Sequence, residues 1–201
     1  MKKTNNVFVS KLLCICFFFD KERGGGGMKR FSVLFVFIFE PFIRGLSVIF
    51  SVLSPSHYLT FERKLRGSLY GFFFGSRKLS VGRVVFDGAD KISLGHNVKL
   101  YCDSKYIAGT NGQITIGSDT HIGFGSVVSG GGGVDIGERC AISSSVFFYS
   151  VSNDVGIGKS LANKSIVSAP IKVCDDVFSG AGVVILPGVV LGSHAVIAAG
   201  S

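Results

Sequence analysis

The chain is poor in charge, poor in cysteine and without a long apolar run. Only 17% of its 201 residues are charged against 47% hydrophobic, which excludes a disordered chain and allows one or two domains. The five cysteines (Cys14, Cys16, Cys102, Cys140, Cys174) form no CxxC pair and have no histidine at ligand spacing. Neither a disulfide framework nor a zinc site is supported, so reduced thiols in a cytoplasmic protein are expected. The apolar stretches Val7–Phe19, Phe31–Phe39 and Gly45–Leu53 all fall short of the roughly 18–20 residues that a spanning helix needs. Lys11 breaks the first, and Glu40, Pro41 and Arg44 separate the other two. Histidine is scarce as well, with His57, His96, His121 and His194 the whole supply.

What is present is unevenly placed. Residues 1–80 hold 13 Lys and Arg against 4 Asp and Glu, with 14 of the 19 Phe. Residues 81–201 hold 8 basic and 9 acidic residues and 20 of the 28 Gly. A uniformly basic nucleic-acid binder is thereby disfavoured, and no nucleic-acid partner is expected. Met1–Phe19 has the charged-then-apolar start of a signal peptide, but Asp20-Lys21-Glu22-Arg23 offers no small-residue cleavage site. With Gly24–Gly27 and Met28 after it, residues 1–27 read as a dispensable leader. Residues 28–80 read as a helical, basic and apolar arm. Lys29, Arg30, Arg44, Arg63, Lys64, Arg66, Arg77 and Lys78 would face anionic lipid at the inner membrane. The competing reading has the arm cap the remainder through its Phe face.

From residue 81 onward the repeat decides the fold. Stepping by six from Val173 gives Ser179, Ile185, Leu191 and Ile197. Four residues after each stand Val177, Val183, Val189, Ala195 and Ser201, all small or β-branched. Ile116-Gly117, Ile122-Gly123, Ile136-Gly137 and Ile142-Ser143 repeat the frame upstream, with Leu94-Gly95 a looser copy. Six fits neither a helix nor a two-sided strand. It fits short strands that turn a corner every six residues, three to a coil of about eighteen, with the aliphatic residue filling each corner. Gly after the aliphatic would ease the backbone through conformations that a Cβ hinders. Five or six coils fit into 81–201.

The stretch Val173-Cys174-Asp175-Asp176-Val177-Phe178-Ser179-Gly180-Ala181-Gly182-Val183-Val184-Ile185-Leu186-Pro187-Gly188-Val189-Val190-Leu191-Gly192 resembles the signature of the hexapeptide-repeat acyltransferases. It is most similar to the sugar O-acetyltransferases of the maltose, galactoside and surface-polysaccharide type. The resemblance covers about 85–201. It implies a mainly β fold, a left-handed parallel β-helix, assembled as a homotrimer. It also implies acetyl-CoA or another acyl-CoA as co-substrate and a sugar or polysaccharide hydroxyl as acceptor, with no metal. Gly180, Ala181, Gly182, Ala198, Ala199 and Gly200 match positions where small residues let pantetheine approach the backbone; tight corners demand small residues too. Relatives continue beyond the position of Ser201 through another partial coil and a capping segment, so the domain is expected to be C-terminally incomplete.

The repeat lapses between Tyr149 and Ala169 and resumes at Pro170-Ile171. In the family a loop leaves the coil here with a catalytic His near its start, because a hydroxyl attacking a thioester needs a base and a neutral imidazole suits. This sequence departs from that pattern: Ser150-Val151-Ser152-Asn153-Asp154-Val155 has no His. Asn153 cannot accept a proton, and an Asp with an ordinary pKa near 3.9 is a weak base unless burial raises it. The candidate catalytic residues are therefore Asp154, Asn153 and His121, the last as a substitute base from within a hexapeptide. His96 and His194 fall at outward positions and read as solvated. Gly156-Ile157-Gly158-Lys159-Ser160 lacks the first Gly and the strand–helix setting of a phosphate loop. Lys159, Lys164 and Lys172 could meet CoA phosphates, and Gly130–Gly133 reads as a flexible corner.

The expected activity is CoA-dependent O-acylation of a sugar in bacterial surface-polysaccharide biosynthesis, in the cytoplasm or peripheral on the inner membrane. Two alternatives stay open. One is an inert β-helix that binds or scaffolds, suggested by the missing His. The other is an acyltransferase acting on a small amine or a serine-like acceptor.

Overall fold

The six-residue units fold as strands of two or three residues separated by tight corners. The computed structural model describes residues 41–43, 45, 46, 58–154 and 166–201. The chain divides into compact units Met1–Pro41 and Phe42–Ser201, and every strand among the described residues belongs to the second. Helix α1 (Tyr58–Phe74) comes before the coils. The first coil is β1 (Ser80–Val81), β2 (Val85–Asp87) and β3 (Ile92–Leu94), the second β4 (Lys99–Leu100), β5 (Lys105–Ile107) and β6 (Ile114–Ile116). The third is β7 (His121–Ile122), β8 (Val127–Ser129) and β9 (Val134–Ile136). The fourth opens with β10 (Ala141–Ile142) and β11 (Phe147–Tyr149). A ribbon of β12 (Val151–Asn153) and β13 (Ile166–Ser168) follows, and β14 (Ile171–Val173) closes the coil. The fifth is β15 (Phe178–Ser179), β16 (Val184–Ile185) and β17 (Val190–Leu191), and β18 (Val196–Ile197) starts a sixth.

Equivalent strands stack in parallel into three sheets, making a three-sided β-solenoid. Face one is β1-β4-β7-β10-β15-β18, face two β2-β5-β8-β11-β16, and face three β3-β6-β9-β14-β17. Inward columns form the core: Val81, Leu100, Ile122, Ile142 and Ser179 on face one, Tyr106, Val128, Phe148 and Ile185 on face two, and Ile116, Ile136 and Val173 on face three. Leu191 and Ile197, at the last coil, pack against this core only partly buried. Interdigitated aliphatics of this kind contribute roughly 1.5–3 kcal/mol each.

The structure differs from expectation in what the aliphatics and glycines do. Ile116, Ile136 and Val173 are the last residues of strands, not corner residues. The corners themselves are turns with one left-handed residue, and between faces three and one this is Asn97, Asp119, Arg139, Asp176 or His194 (φ 54–62°). The corners stack as regularly as the strands: the Asp119 N–H donates to His96 O, Arg139 to Ser118 O and Asp176 to Glu138 O. Glycine after the aliphatic therefore serves closeness, not φ. A Cβ on Gly123 would lie 2.6 Å from the Ser143 carbonyl carbon and 2.7 Å from Ser144 N, in the coil above.

The repeat is also less strict than eighteen. Register partners Ser179 and Ile197 are eighteen apart, but Leu100 and Ile122 are twenty-two. The surplus is inserted at one corner, between faces two and three.

Helix α1 caps the first coil. Tyr70 and Phe74 pack on Phe86 (ring centroids 5.3 and 5.2 Å), which stacks on Tyr106 at 5.3 Å. At Gly67 a Cβ would collide with the Leu79 carbonyl. This corrects part of the lipid-facing set. Arg66 is only 2% exposed and is paired with Glu62 one turn away, because the helix turns that side onto the coils. Arg63 lies half-buried with its guanidinium 5.1 Å over the Tyr101 ring. Lys64, Arg77 and Lys78 are exposed, and Lys29, Arg30 and Arg44 lie outside the described residues. Among the described residues no helix is long and apolar enough to cross a membrane.

Two glycine substitutions separate closeness from conformation. Gly123→Ala should cost about 3 kcal/mol, since backbone stands in the way. Gly125→Ala, with φ 65° and only an ordinary contact of the new Cβ with Ser145 Oγ at 3.7 Å, should cost about 1 kcal/mol. Denaturant midpoints check the order; the reverse order would overturn the stacking account.

Candidate functional site

The corner between faces two and three takes every insertion, and the largest is the ribbon. Its strands pair antiparallel, Val151 opposite Ser168, Ser152 opposite Val167 and Asn153 opposite Ile166. Asn153 is exposed and Asp154, just beyond it, is half-buried. Residues 155–165 lie outside the described set, and with them Lys159, Lys164 and the Gly156–Ser160 stretch. Ile166 and Val167 present apolar side chains to solvent, 63% and 45% exposed.

His121 stands elsewhere. It opens β7 on the outer side of face one, with Lys99 and Ala141 as register neighbours. Partial burial lowers its pKa, and the Lys99 ammonium lowers it further. The imidazole is thus held neutral near pH 7, as a proton acceptor must be. Within one chain, however, His121 and the Asn153–Asp154 pair occupy different sides of the solenoid.

The six small residues are brought together. Gly180–Gly182 and Ala198–Gly200 form the same corner, between faces one and two, on adjacent coils. The Gly180 N–H donates to Ile197 O and the Gly200 N–H to Ala181 O, both at 2.9 Å. Gly180 is buried, and a Cβ there would lie 2.6 Å from Ala199 N, so stacking alone requires it. Ala181, Gly182, Ala198, Ala199 and Gly200 face outward and leave the backbone accessible. Exposed Phe178, Val184 and Val196 flank this corner. On the coil before it Phe147 and Tyr149 stack at 6.1 Å, and further along the same edge, on the second and third coils, Tyr101 packs on Phe124 at 4.9 Å. These outer aromatics were missed from the sequence. For Phe147 and Tyr149 the signal was apolar residues at outward strand positions, where polar ones are usual.

Other features prove structural. The Gly130–Gly133 corner, expected to be flexible, is closely packed and bonded: Gly130 N–H donates to Ile107 O and Gly133 N–H to Gly130 O, both at 2.8 Å. The fourth coil crowds the Cβ positions of Gly131 and Gly132 and Ile114 of the second coil crowds that of Gly130, whereas Gly133 has space and is required by its φ of 95°. Arg139 bonds both carboxylate oxygens of Asp176 (2.8 and 2.9 Å) and reaches Glu138 and Asp175. Asp176 is thereby held below the usual carboxylate range. Burial pushes the Cys140 thiol up, so it is unreactive. His96 is exposed, its Nδ1 accepting from Arg77 N, and His194 is exposed beside Asp176. Lys172 is exposed on face three in register with Asp135. Among the described residues no cluster of His, Cys, Asp and Glu could hold a metal.

A three-sided parallel solenoid of six-residue units, with one loop leaving a corner, has the fold of the hexapeptide-repeat acyltransferases, and the chain resembles their sugar-modifying members. No family model matches the chain. It is similar to the dTDP-4-amino-4,6-dideoxy-D-glucose acyltransferase of Escherichia coli, 35% identical over 121 residues, covering 57% of this chain and 62% of that protein. The chain thus spans less than two thirds of that relative's length. Among solved structures it resembles a variant of AntD, an N-acyltransferase from Bacillus cereus, in complex with dTDP-4-amino-4,6-dideoxyglucose and coenzyme A. There the TM-score is 0.57 at 22% identity, covering 67% of this chain and 75% of that one. AntD with dTDP and 3-hydroxybutyryl-CoA gives a TM-score of 0.54 at 24% identity, covering 67% of this chain and 74% of that one. At these identities the structures establish the fold.

The environment of His121 is directly measurable. Its NMR titration should have a midpoint below 6.5, and Lys99→Ala should raise that midpoint while leaving it below the ordinary value, because burial is the larger cause. A midpoint above 6.5 in the unaltered protein would contradict the geometry.

Proposed function

We propose that the protein is a CoA-dependent sugar acyltransferase whose acceptor is the amino group of a nucleotide-linked sugar. The observation that carries this reading is the ribbon, which bears a carboxylate and an amide and no imidazole where it leaves the solenoid. A neutral amine attacks a thioester carbonyl unaided, and only afterwards must its proton be removed. A hydroxyl must lose its proton during attack, which calls for a stronger base. In this mechanism the amine nitrogen adds to the acyl carbon, and the oxyanion accepts a hydrogen bond from a backbone N–H. Asp154 takes the ammonium proton, the C–S bond breaks, and the CoA thiolate leaves and is protonated. Asn153 orients the acceptor through its amide. The Escherichia coli relative, an acyltransferase of a dTDP-linked aminosugar, and AntD, an N-acyltransferase, support the same acceptor class.

Pantetheine would lie along the outward corner of Ala181, Gly182, Ala198, Ala199 and Gly200, behind which Gly180 permits close stacking. Of Lys159, Lys164 and Lys172 only Lys172 lies among the described residues; it is exposed on face three, away from this corner, and would meet CoA phosphates only on a neighbouring copy. The ribbon and this corner flank opposite edges of face two, so a homotrimer, in which one copy's ribbon meets a neighbour's corner, would complete the site. It would also cover Phe124, Phe178 and Val184. Acetyl-CoA is the simplest donor, and longer acyl groups fit the same chemistry. Acyl-CoA and nucleotide-sugar substrates support a cytoplasmic reaction, and exposed Lys64, Arg77 and Lys78 would serve a peripheral membrane contact.

A second reading keeps a hydroxyl acceptor, in a sugar of a surface polysaccharide such as O-antigen. The imidazole of His121 favours it, since its partial burial and the Lys99 ammonium keep it neutral.

Acceptor competition decides between them. With acetyl-CoA, a dTDP-linked aminosugar should release free thiol faster than its hydroxyl counterpart, and Asp154→Ala should cut kcat by about 10²–10⁴. Faster transfer to the hydroxyl sugar, lost in His121→Ala, would favour the second reading. Absence of any acyl-CoA binding would sink both and leave a non-catalytic binding solenoid.

A further inference from the structure

We infer that Ser150 is a positioning residue that sets where the ribbon, and with it Asn153 and Asp154, stands on the solenoid. The inference rests on the acyltransferase reading for its consequence in catalysis, but not for its structural content. Ser150 sits where the chain leaves β11 and is completely buried. Its hydroxyl donates to Ser129 O at 2.7 Å and accepts from the Gly132 N–H at 2.9 Å. Its own N–H donates to Ser129 O at 3.1 Å, and its carbonyl accepts from the Ala169 N–H at 3.0 Å, closing the neck of the ribbon. One residue thus ties the outgoing strand, the returning strand and the glycine corner of the coil below.

The surroundings make this the point that decides orientation. A two-stranded ribbon is marginal in water by itself. Beyond the neck Ser152, Asn153 and Ile166–Ser168 are exposed. The corner beneath is bare of Cβ atoms where the neck rests. A Cβ on Gly132 would lie 2.5 Å from Ser150 O and 2.6 Å from Ser168 Oγ, and one on Gly131 would lie 2.8 Å from Val151 Cγ2. In the two preceding coils the same column holds Ala108 and Gly130, without a hydroxyl, and there the corner carries only a short insertion before the next strand of face three. The buried hydroxyl occurs at the coil where the chain departs.

Ser150→Ala leaves the Gly132 N–H without its acceptor and loosens the neck without adding bulk. Amide exchange at Val151–Asn153 and Ile166–Ala169 should then quicken about tenfold, with β8 and β9 unchanged. In acyl transfer kcat should fall about 10–100-fold while KM for acyl-CoA holds, since the small-residue corner lies across face two. Ser150→Cys, which keeps a weaker donor, should fall between. Gly132→Ala, which wedges the same neck from below, should lower kcat in the same way and supplies an independent variant. Unchanged neck exchange in both variants overturns the inference, as does a loss of protection spread evenly over the coils. Neck exchange that responds while the unaltered protein transfers no acyl group would support the latch and overturn the acyltransferase reading alone.

Discussion

Everything in this molecule follows from parallel strands stacked at about 4.8 Å with each residue lying over its counterpart in the coil below. That spacing admits no exceptions at a corner without local cost. It puts Gly123 against Ser143, Gly180 against Ala199 and Gly132 against Ser150 closely enough to exclude a Cβ. The same constraint lets corner amides bond corner carbonyls, so the hydrogen-bond ladder runs through the turns as well as the strands. Polar side chains such as Thr120 and Ser126 add to it, each accepting from the corner N–H of the next coil.

Stacking also limits where anything new can be added. An insertion within a strand would break register with both neighbouring coils, whereas one at a corner projects outward and leaves the core columns intact. The chain uses one corner of three for all of its insertions. The result is a rigid prism with variable structure along a single edge, a common way to place chemistry on a scaffold. Small residues and exposed aromatics gather at the next edge, around face two, so that face separates the two parts that acyl transfer would need to bring together.

The repeat made much of this legible. Ile116, Ile122, Ile136 and Ile142 were readable as interior residues because a six-residue period leaves no other consistent role, and all four are buried. The departure after Tyr149 was readable because the period stops. Less visible were relations between coils. Nothing local marks Gly132 as lying under Ser150, eighteen residues away, or separates glycines needed for φ from those needed for closeness. Arg66 looked like one more surface cation until helix packing turned it inward beside Glu62.

The sequence by itself determined the solenoid, five or six coils of it, and about where the chain leaves it, since periodicity is a local and repeated signal. Only the tertiary structure decided which corners coincide. It separated His121 from Asp154, gathered Gly180–Gly182 with Ala198–Gly200, and made a buried serine the root of the ribbon. These are contacts across coils, and their geometry depends on the inserted residues in every turn between.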